Sequence, residues 1–302
     1  YFYYYKNFAK KEFIAEYKDE LKRVDWMDEW TRERAIKKLD ALSVKVGYPD
    51  VWSEWNAGAD IREYRSGGTY FDNCCEAQRT RVETAKGLIG KTRDNALWTI
   101  PVYTANAFNT MPLNEIVIPA GILQEPFYSP GYSRSRNLGG IGVTIAHEIS
   151  HAFDTNGAKY DERGNVKNWW SKADRSRFTE RCDRVRAFYD GFGIALGIKS
   201  SGTLTLSENV SDIAGLRCAL DVLAKTDKPD YREFFVSYAT IFRQSSTWKA
   251  LKWQATRDVH SVGMIRVNRA VANFGEFQKA FSVVHGDAMY VRPEDRVGIW
   301  AQ

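Results

Sequence analysis

The chain has 302 residues with 43 Lys and Arg against 38 Asp and Glu, a formal net charge of +5, and is 44% hydrophobic, enough apolar material for a substantial core. That excludes intrinsic disorder as a description of the whole. The charges are interspersed, without the basic block that marks a nucleic-acid arm, and no apolar stretch reaches the roughly 18 residues of a membrane span. Four cysteines (Cys74, Cys75, Cys182, Cys218) with no Cys-x-x-Cys pair argue against a disulfide framework and read as ordinary thiols. The chain opens at Tyr1 without a Met or a leader, so it reads as a fragment whose signal peptide or membrane anchor, if any, lies upstream. The compartment, cytoplasmic or extracytoplasmic, stays open.

From Lys10 to about Val46, Phe13, Tyr17, Leu21 and Val24, then Ile36, Leu39 and Leu42, recur at helical spacing among charged residues, predicting two amphipathic helices broken near Asp25 to Asp28. Tyr48-Pro49-Asp50 ends this region. A turn-rich connector over 58–68 then precedes a helical stretch through Cys74 to Gly90, so residues 1–95 read as all-helical. Leu97 to Tyr103 and Glu115 to Pro119, rich in Ile and Val, predict two antiparallel strands separated by the turn Asn109-Thr110-Met111-Pro112. Ile141 to Phe153 runs without a breaker for about three turns and predicts a buried helix. Its Gly139-Gly140-x-Gly142 approach lacks a phosphate-loop context and reads as close packing where the helix begins, while Trp169-Trp170 and the tyrosines of the N-terminus read as core or interface. Further helices are expected near Ser171 to Tyr189, Ser207 to Ala224, Tyr231 to Phe242 and Phe274 to Phe281. The class is α+β, with much helix and little strand.

His147-Glu148-Ile149-Ser150-His151 lies inside the buried helix, where positions i and i+4 share a face and two imidazoles can grip one metal ion. Glu148 beside them can take a proton from a water activated by that metal. The alternative, two helix-surface histidines, leaves two imidazoles and a carboxylate unexplained in an apolar segment, where burial without a partner is costly. A catalytic zinc takes three protein ligands, and Glu208 is the candidate third, with Asp212 one turn further along to accept a ligand N–H; Asp154 is a similar candidate. On the residues alone Glu208 and Asp212 read rather as the acidic first turn of a helix capped by Ser207 and Asn106 as a turn residue, while His260 reads equally as a surface loop histidine.

Taken together, these segments resemble the C-terminal part of the neprilysin-type zinc endopeptidases, including endothelin-converting enzymes and bacterial oligoendopeptidase O. Asn106-Ala107-Phe108, Pro119 to Gln124 with Pro126-Phe127, Gly139 to Gly142 before the histidine helix, Leu206 to Asp212 with Gly215, Asp258 to Ser261 with Arg266-Val267, and Pro293 to Trp300 match in order. Trp26-Met27-Asp28 and Gly47 to Asp50 have counterparts as well. The resemblance implies a thermolysin-like zincin domain over 96–302, preceded over 1–95 by helices left from the family's covering domain, whose remainder is missing. It implies one zinc ion on His147, His151 and Glu208, Glu148 as general base, Asp212 and Asp154 orienting the ligand histidines, His260 and Arg266 acting on the reacting carbonyl and the substrate, and Asn106 with Ala107 holding an extended peptide. Ile122, Phe127 and Phe242 occupy positions of an apolar pocket for the residue after the cleaved bond.

Several residues depart from the family. Phe242 stands for a usual Trp, Thr144 for Val, Val297 and Val283 for cysteines, Arg269 for Gly and Val262 for Pro. The loss of the cysteines places the chain nearer the bacterial members. The function implied is zinc-dependent endopeptidase action on short peptides, favouring a large hydrophobic side chain on the C-terminal side of the cleaved bond. The competing readings are a catalytically silent zinc-stabilised interaction domain and a zinc aminopeptidase. The partners expected are a peptide substrate and the missing N-terminal domain, with no nucleic acid and no membrane contact except through an upstream anchor.

Overall fold

The computed structural model describes residues 8–50, 52, 58–92, 94, 96–98, 100–195 and 197–300. The aromatic run Tyr1 to Tyr5 lies outside them. The described residues up to Gly47 form one compact unit with those from Val102 onward, and those of Tyr48–Pro101 form another.

In the first unit a wide helical turn (Ala9–Ile14) runs into helix α1 (Ala15–Arg23), and α2 (Glu29–Asp40) follows a break where Asp28 caps the new helix by accepting from Thr31 N at 2.9 Å. Both helices bury the face that their periodicity marks: Phe13, Tyr17, Leu21, Ala35 and Leu39 are almost wholly enclosed. The Tyr17 hydroxyl donates to the Ala146 carbonyl at 2.8 Å, which fastens α1 to the later chain. Residues 8–47 belong with the chain from 102 onward, because their apolar faces are covered there.

The reading of residues 1–95 as all-helical fails at strand β1 (Ser43–Gly47), which pairs in parallel with β3 (Glu115–Pro119), Val44 opposite Ile116. Lys45 meets Glu115 at 2.8 Å, so the charged position in the strand is buried as well as Val44 and Val46, and the alternation that signals a half-exposed strand is lost. Leu97 to Tyr103 is not a strand over its described residues; Pro101 has no N–H to give a ladder, and Tyr103 is exposed. The antiparallel partner of β3 is instead β2 (Phe108–Thr110), at the sheet's edge in the order β1-β3-β2, which takes in Asn109 and Thr110 of the expected turn.

The second unit holds α3 (Tyr70–Lys86), capped by Thr69, which accepts from Asp72 N at 3.1 Å. None of its residues is buried within the structure, and Ile61, Tyr64, Tyr70, Phe71 and Ile89 are exposed.

After β3 the short helix α4 (Arg134–Asn137) passes through a wide turn (Leu138–Gly142) into α5 (Val143–Ser150), the expected buried helix. The glycines of that turn serve packing: a Cβ on Gly139 would lie 2.1 Å from the Phe234 carbonyl, and one on Gly140 2.3 Å from that of Phe127. Helix α6 (Lys172–Tyr189), a small hairpin of β4 (Gly193–Ala195) and β5 (Ile198–Lys199), and the long α7 (Leu206–Ala224) follow. Then come α8 (Tyr231–Ile241), α9 (Trp248–Arg257), α10 (Gly263–Val271) and α11 (Gly275–Ala280); the sequence reading missed α9 and α10. Trp169 and Trp170 are buried, as expected, with ring centroids 4.5 Å apart. All four cysteines are free, and among the described residues no helix is long and apolar enough to cross a membrane.

Candidate active site

Helices α5 and α7 build the site by packing side by side. His147 and His151, one turn apart on α5 and at its end, turn their Nε2 atoms toward each other at 2.9 Å. From α7, Glu208 places Oε2 3.3 Å from His147 Nε2 and Oε1 3.6 Å from His151 Nε2. The far nitrogens face carboxylates: His147 Nδ1 lies 2.9 Å from Asp212 Oδ1, and His151 Nδ1 lies 2.6 Å from Asp154 Oδ2. Ser211 Oγ is 3.1 Å from the same His151 nitrogen.

This arrangement has a chemical consequence. His151 Nδ1 is hydrogen-bonded to Asp154, and His147 Nδ1 lies close to Asp212 without the alignment of a hydrogen bond; neutral imidazoles held in this way would present two Nε2 lone pairs that converge with the Glu208 carboxylate on one point. Such a cluster requires a positive charge at its centre. Burial pulls His147 down, yet Asp212 and Glu208 beside it outweigh burial and hold it at about 10. Burial pushes Glu208 up, but the histidines, His147 foremost, bring it down to about 2. Glu208 Oε2 is buried without a well-directed hydrogen bond, as an atom waiting for a cation would be. Two imidazoles and one carboxylate facing an open cleft are the donor set of a catalytic zinc site, so these residues fit that ion.

A second acidic cluster, Glu16, Glu20 and Asp221, differs in that its charge is already met. Arg23 pairs with Glu16 and Asp221, Lys225 with Glu16, and Arg217 with Asp221, while burial pushes Glu20 well above the usual carboxylate range. Both Glu20 oxygens are buried without a hydrogen-bond partner, but burial favours the neutral form of that carboxyl and the cluster contains no imidazole.

The histidine cluster lies at the floor of a cleft of about 390 Å³ that the other expected residues line: Glu148, Asn106, Ala107, Ile122, Phe127, Phe242, His260 and Arg266. Asp154 instead sits behind His151, fully buried, in the turn after α5. His260, half-exposed ahead of α10, points Nε2 at Glu208 Oε2 across 3.3 Å and holds Nδ1 2.9 Å from Asp258 Oδ1. Arg266 is bound in two places to Asp212, Nε to Oδ2 at 2.7 Å and Nη2 to Oδ1 at 2.6 Å, under the ring of Phe242 at 4.5 Å. Asp212 is consequently shared between His147 and Arg266, which hold its carboxyl well below the usual range against the upward push of burial. Thr144, also in the cleft wall, turns its hydroxyl back to the Gly140 carbonyl at 3.2 Å.

Sequence reasoning missed three contributors. Ser207 lies inside α7 rather than at its cap and donates to Asp154 Oδ2, and Ser211 faces His151. The two serines stand four apart, on either side of Glu208 in the sequence, a spacing that puts them on one helix face. Asn109 donates from its amide to the Glu148 carbonyl, and nothing local to its sequence marks it.

Comparison with known proteins gives one family. A profile described as peptidase family M13 matches residues 106–297, and another, for the N-terminal part of that family, matches 11–49. The neutral endopeptidase of Lactobacillus helveticus is 38% identical over 288 residues, covering 94% of this chain and 43% of that protein. The endothelin-converting enzyme homolog of Locusta migratoria is 31% identical, covering 94% of this chain and 41% of its own length. Among solved structures, PepO from Lactobacillus rhamnosis superposes with a TM-score of 0.90 at 36% identity, covering 97% of this chain and 46% of its own. A Mycobacterium tuberculosis zinc metalloprotease in complex with inhibitor superposes with a TM-score of 0.86 at 33% identity, covering 98% and 47%. The chain thus spans less than half the length of the relatives it matches.

Proposed function

Because the chain belongs to peptidase family M13, with the mostly helical zincin fold of its neighbours, we propose that it is the catalytic part of a zinc metalloendopeptidase cleaving short peptides. The observation that carries this reading is the convergence of His147, His151 and Glu208 ligand atoms within 4.8 Å of one another, beside Glu148 and open to a cleft. His147, His151 and Glu208 would hold one zinc ion, which when bound supplies Lewis acidity to polarise the scissile carbonyl and acidify the attacking water. Glu148 takes the proton of that water and returns it to the leaving amine. His260, half in solvent with Asp258 on its Nδ1, presents Nε2 to stabilise negative charge on the carbonyl oxygen. Asp212 and Asp154 fix the tautomers of the two ligand histidines, and Arg266, anchored on Asp212, faces the substrate beyond the cleaved bond.

The peptide would lie along the free side of β2, the sheet edge, with Asn106 and the Ala107 main chain as its partners. Ile122, Phe127 and Phe242 make the wall for the side chain after the cleaved bond, and their apolar character supports a preference for large hydrophobic residues there. Residues 11–49 contribute part of what the family's N-terminal portion contributes, and the remainder of that portion is the expected partner.

The test is cleavage of an internally quenched, N-terminally blocked peptide with Phe or Leu after the scissile bond by the full-length protein. Activity abolished by a chelator and by Glu148→Gln, with zinc retained in the variant, is the expected result. One bound zinc without cleavage would replace this reading with a zinc-held binding module, and cleavage restricted to free N-termini would replace it with an aminopeptidase.

A further inference from the structure

Lys38 on α2 is buried, only 2% exposed, although nothing in an amphipathic helix calls for an ammonium on the inward face. Its Nζ donates to three main-chain carbonyls, those of Ala152, Gly157 and Tyr160, each at 2.7 Å, which uses all three of its N–H groups. The rings of Phe153 and Trp169 stand 5.7 and 5.8 Å from it, so the charge rests in a cage of carbonyl dipoles and aromatic faces.

The caged segment is the turn that leaves α5 immediately after His151, and Asp154 holds the same turn from its other side. Asp154 Oδ1 accepts from Asn156 N and Gly157 N, both at 2.7 Å, while Oδ2 meets His151 Nδ1 at 2.6 Å. Gly157 is accordingly gripped at its N–H by Asp154 and at its carbonyl by Lys38. The turn is folded so tightly onto the helix end that a Cβ on Gly157 would lie 1.8 Å from the His151 carbonyl. An apolar side chain in place of Lys38 would avoid the cost of burying a charge, but it would not draw three carbonyls to one point. Burial brings the Lys38 ammonium down to about 7, and the carboxylates that work against that fall are Asp154, Asp161 and Glu162, all from this same loop.

We propose that Lys38 is a positioning residue for the metal site: it fixes the 152–160 turn so that Asp154 orients His151 and presents its Nε2 to the cation. Lys38 lies in residues 11–49, outside the 106–297 match, so the segment preceding the catalytic region completes the site rather than merely packing beside it. This inference rests on the zinc reading above.

The experiment is a double-mutant cycle on the full-length protein with Lys38→Met and Asp154→Asn. It reads zinc affinity by competition with a chelator and the visible spectrum of the cobalt-substituted protein, alongside unfolding of the metal-free form. Lys38→Met is expected to weaken zinc binding by about 10- to 100-fold and to alter the cobalt spectrum, as loss of a partner behind a ligand does. The losses from Lys38→Met and Asp154→Asn are expected to be less than additive, because both act through one turn. Should Lys38→Met not fold, Lys38→Gln, which keeps an amide donor, is read the same way. Unchanged zinc affinity and cobalt spectrum in a folded Lys38 variant, or strictly additive losses, would overturn the inference alone. A parent protein that binds neither zinc nor cobalt would overturn the zinc reading itself.

Discussion

The amide of Asn109 donates to the main-chain carbonyl of Glu148 across 2.7 Å, and this single bond ties the edge strand of the sheet to the helix that carries the candidate general base. Helix α5 closes with Ala152 N on the Ile149 carbonyl at 3.1 Å, so the Glu148 carbonyl, one of the helix's last, is left for Asn109 to satisfy. The other atom of that amide, Oδ1, is buried without a hydrogen-bond partner. Asn109→Ala is expected to cost about 1 kcal/mol of stability, the usual net worth of such a bond. Because the strand is the proposed substrate edge and the helix carries Glu148, kcat/KM should fall while one zinc per chain is retained. Denaturant titration, metal analysis and steady-state kinetics on the same preparation check this, and unchanged kcat/KM would show that the strand needs no such tie.

Gly215 of α7 sets how closely the two site helices approach. A Cβ there would lie 2.7 Å from His147 N and 2.9 Å from His147 Cα, atoms of the main chain that cannot rotate away. Gly215→Ala should therefore push α7 from α5 and cost about 1 to 3 kcal/mol, the range for overpacking a tight core. Glu208 and Asp212 ride on α7, so zinc affinity should fall together with the melting temperature. A variant with parental zinc affinity and parental Tm would contradict the close contact.

The four cysteines divide by exposure, Cys74 and Cys75 at the surface, Cys182 and Cys218 in the core. Burial pushes the Cys182 thiol up to about 12 and that of Cys218 well above its usual value. At about pH 8 a thiol reagent should modify the exposed Cys74 and Cys75 in the folded protein and reach the buried two only after unfolding. The raised value also has a sign for stability. The folded state keeps its proton where the unfolded state has lost it, so the contribution of Cys182 is complete below about pH 8.5 and declines as pH rises toward 12. Denaturation midpoints taken at several pH values across that interval should fall more steeply for the parent than for Cys182→Ala, and parallel curves would argue against the shift.

Much of the site was legible in the residues because its logic is local. Two histidines four apart need only a helix to share a face, and a helix is announced by a stretch rich in small and apolar residues with no breaker, such as Ile141 to Phe153. Glu208 and Asp212 repeat the same spacing on α7. By contrast, β1 was hidden because Lys45 is buried against Glu115, and the true partner of β3 was hidden because a short edge strand such as Phe108 to Thr110 carries too little pattern to register.

The sequence by itself determined the chemistry on offer: a pair of imidazoles with a carboxylate between them, a second carboxylate pair downstream, and helices enough to carry both. These follow from spacing along the chain, which local backbone geometry converts directly into a shared face. Only the tertiary structure decided which carboxylate stands behind which histidine, that Arg266 is anchored on Asp212, that Asn109 holds the Glu148 carbonyl, and that Lys38 grips the turn beyond His151. Each of those pairings other than His151 with Asp154 joins residues far apart in the chain. Such contacts are set by how helices and strands pack, and periodicity within a segment carries no record of what another segment will bring to meet it.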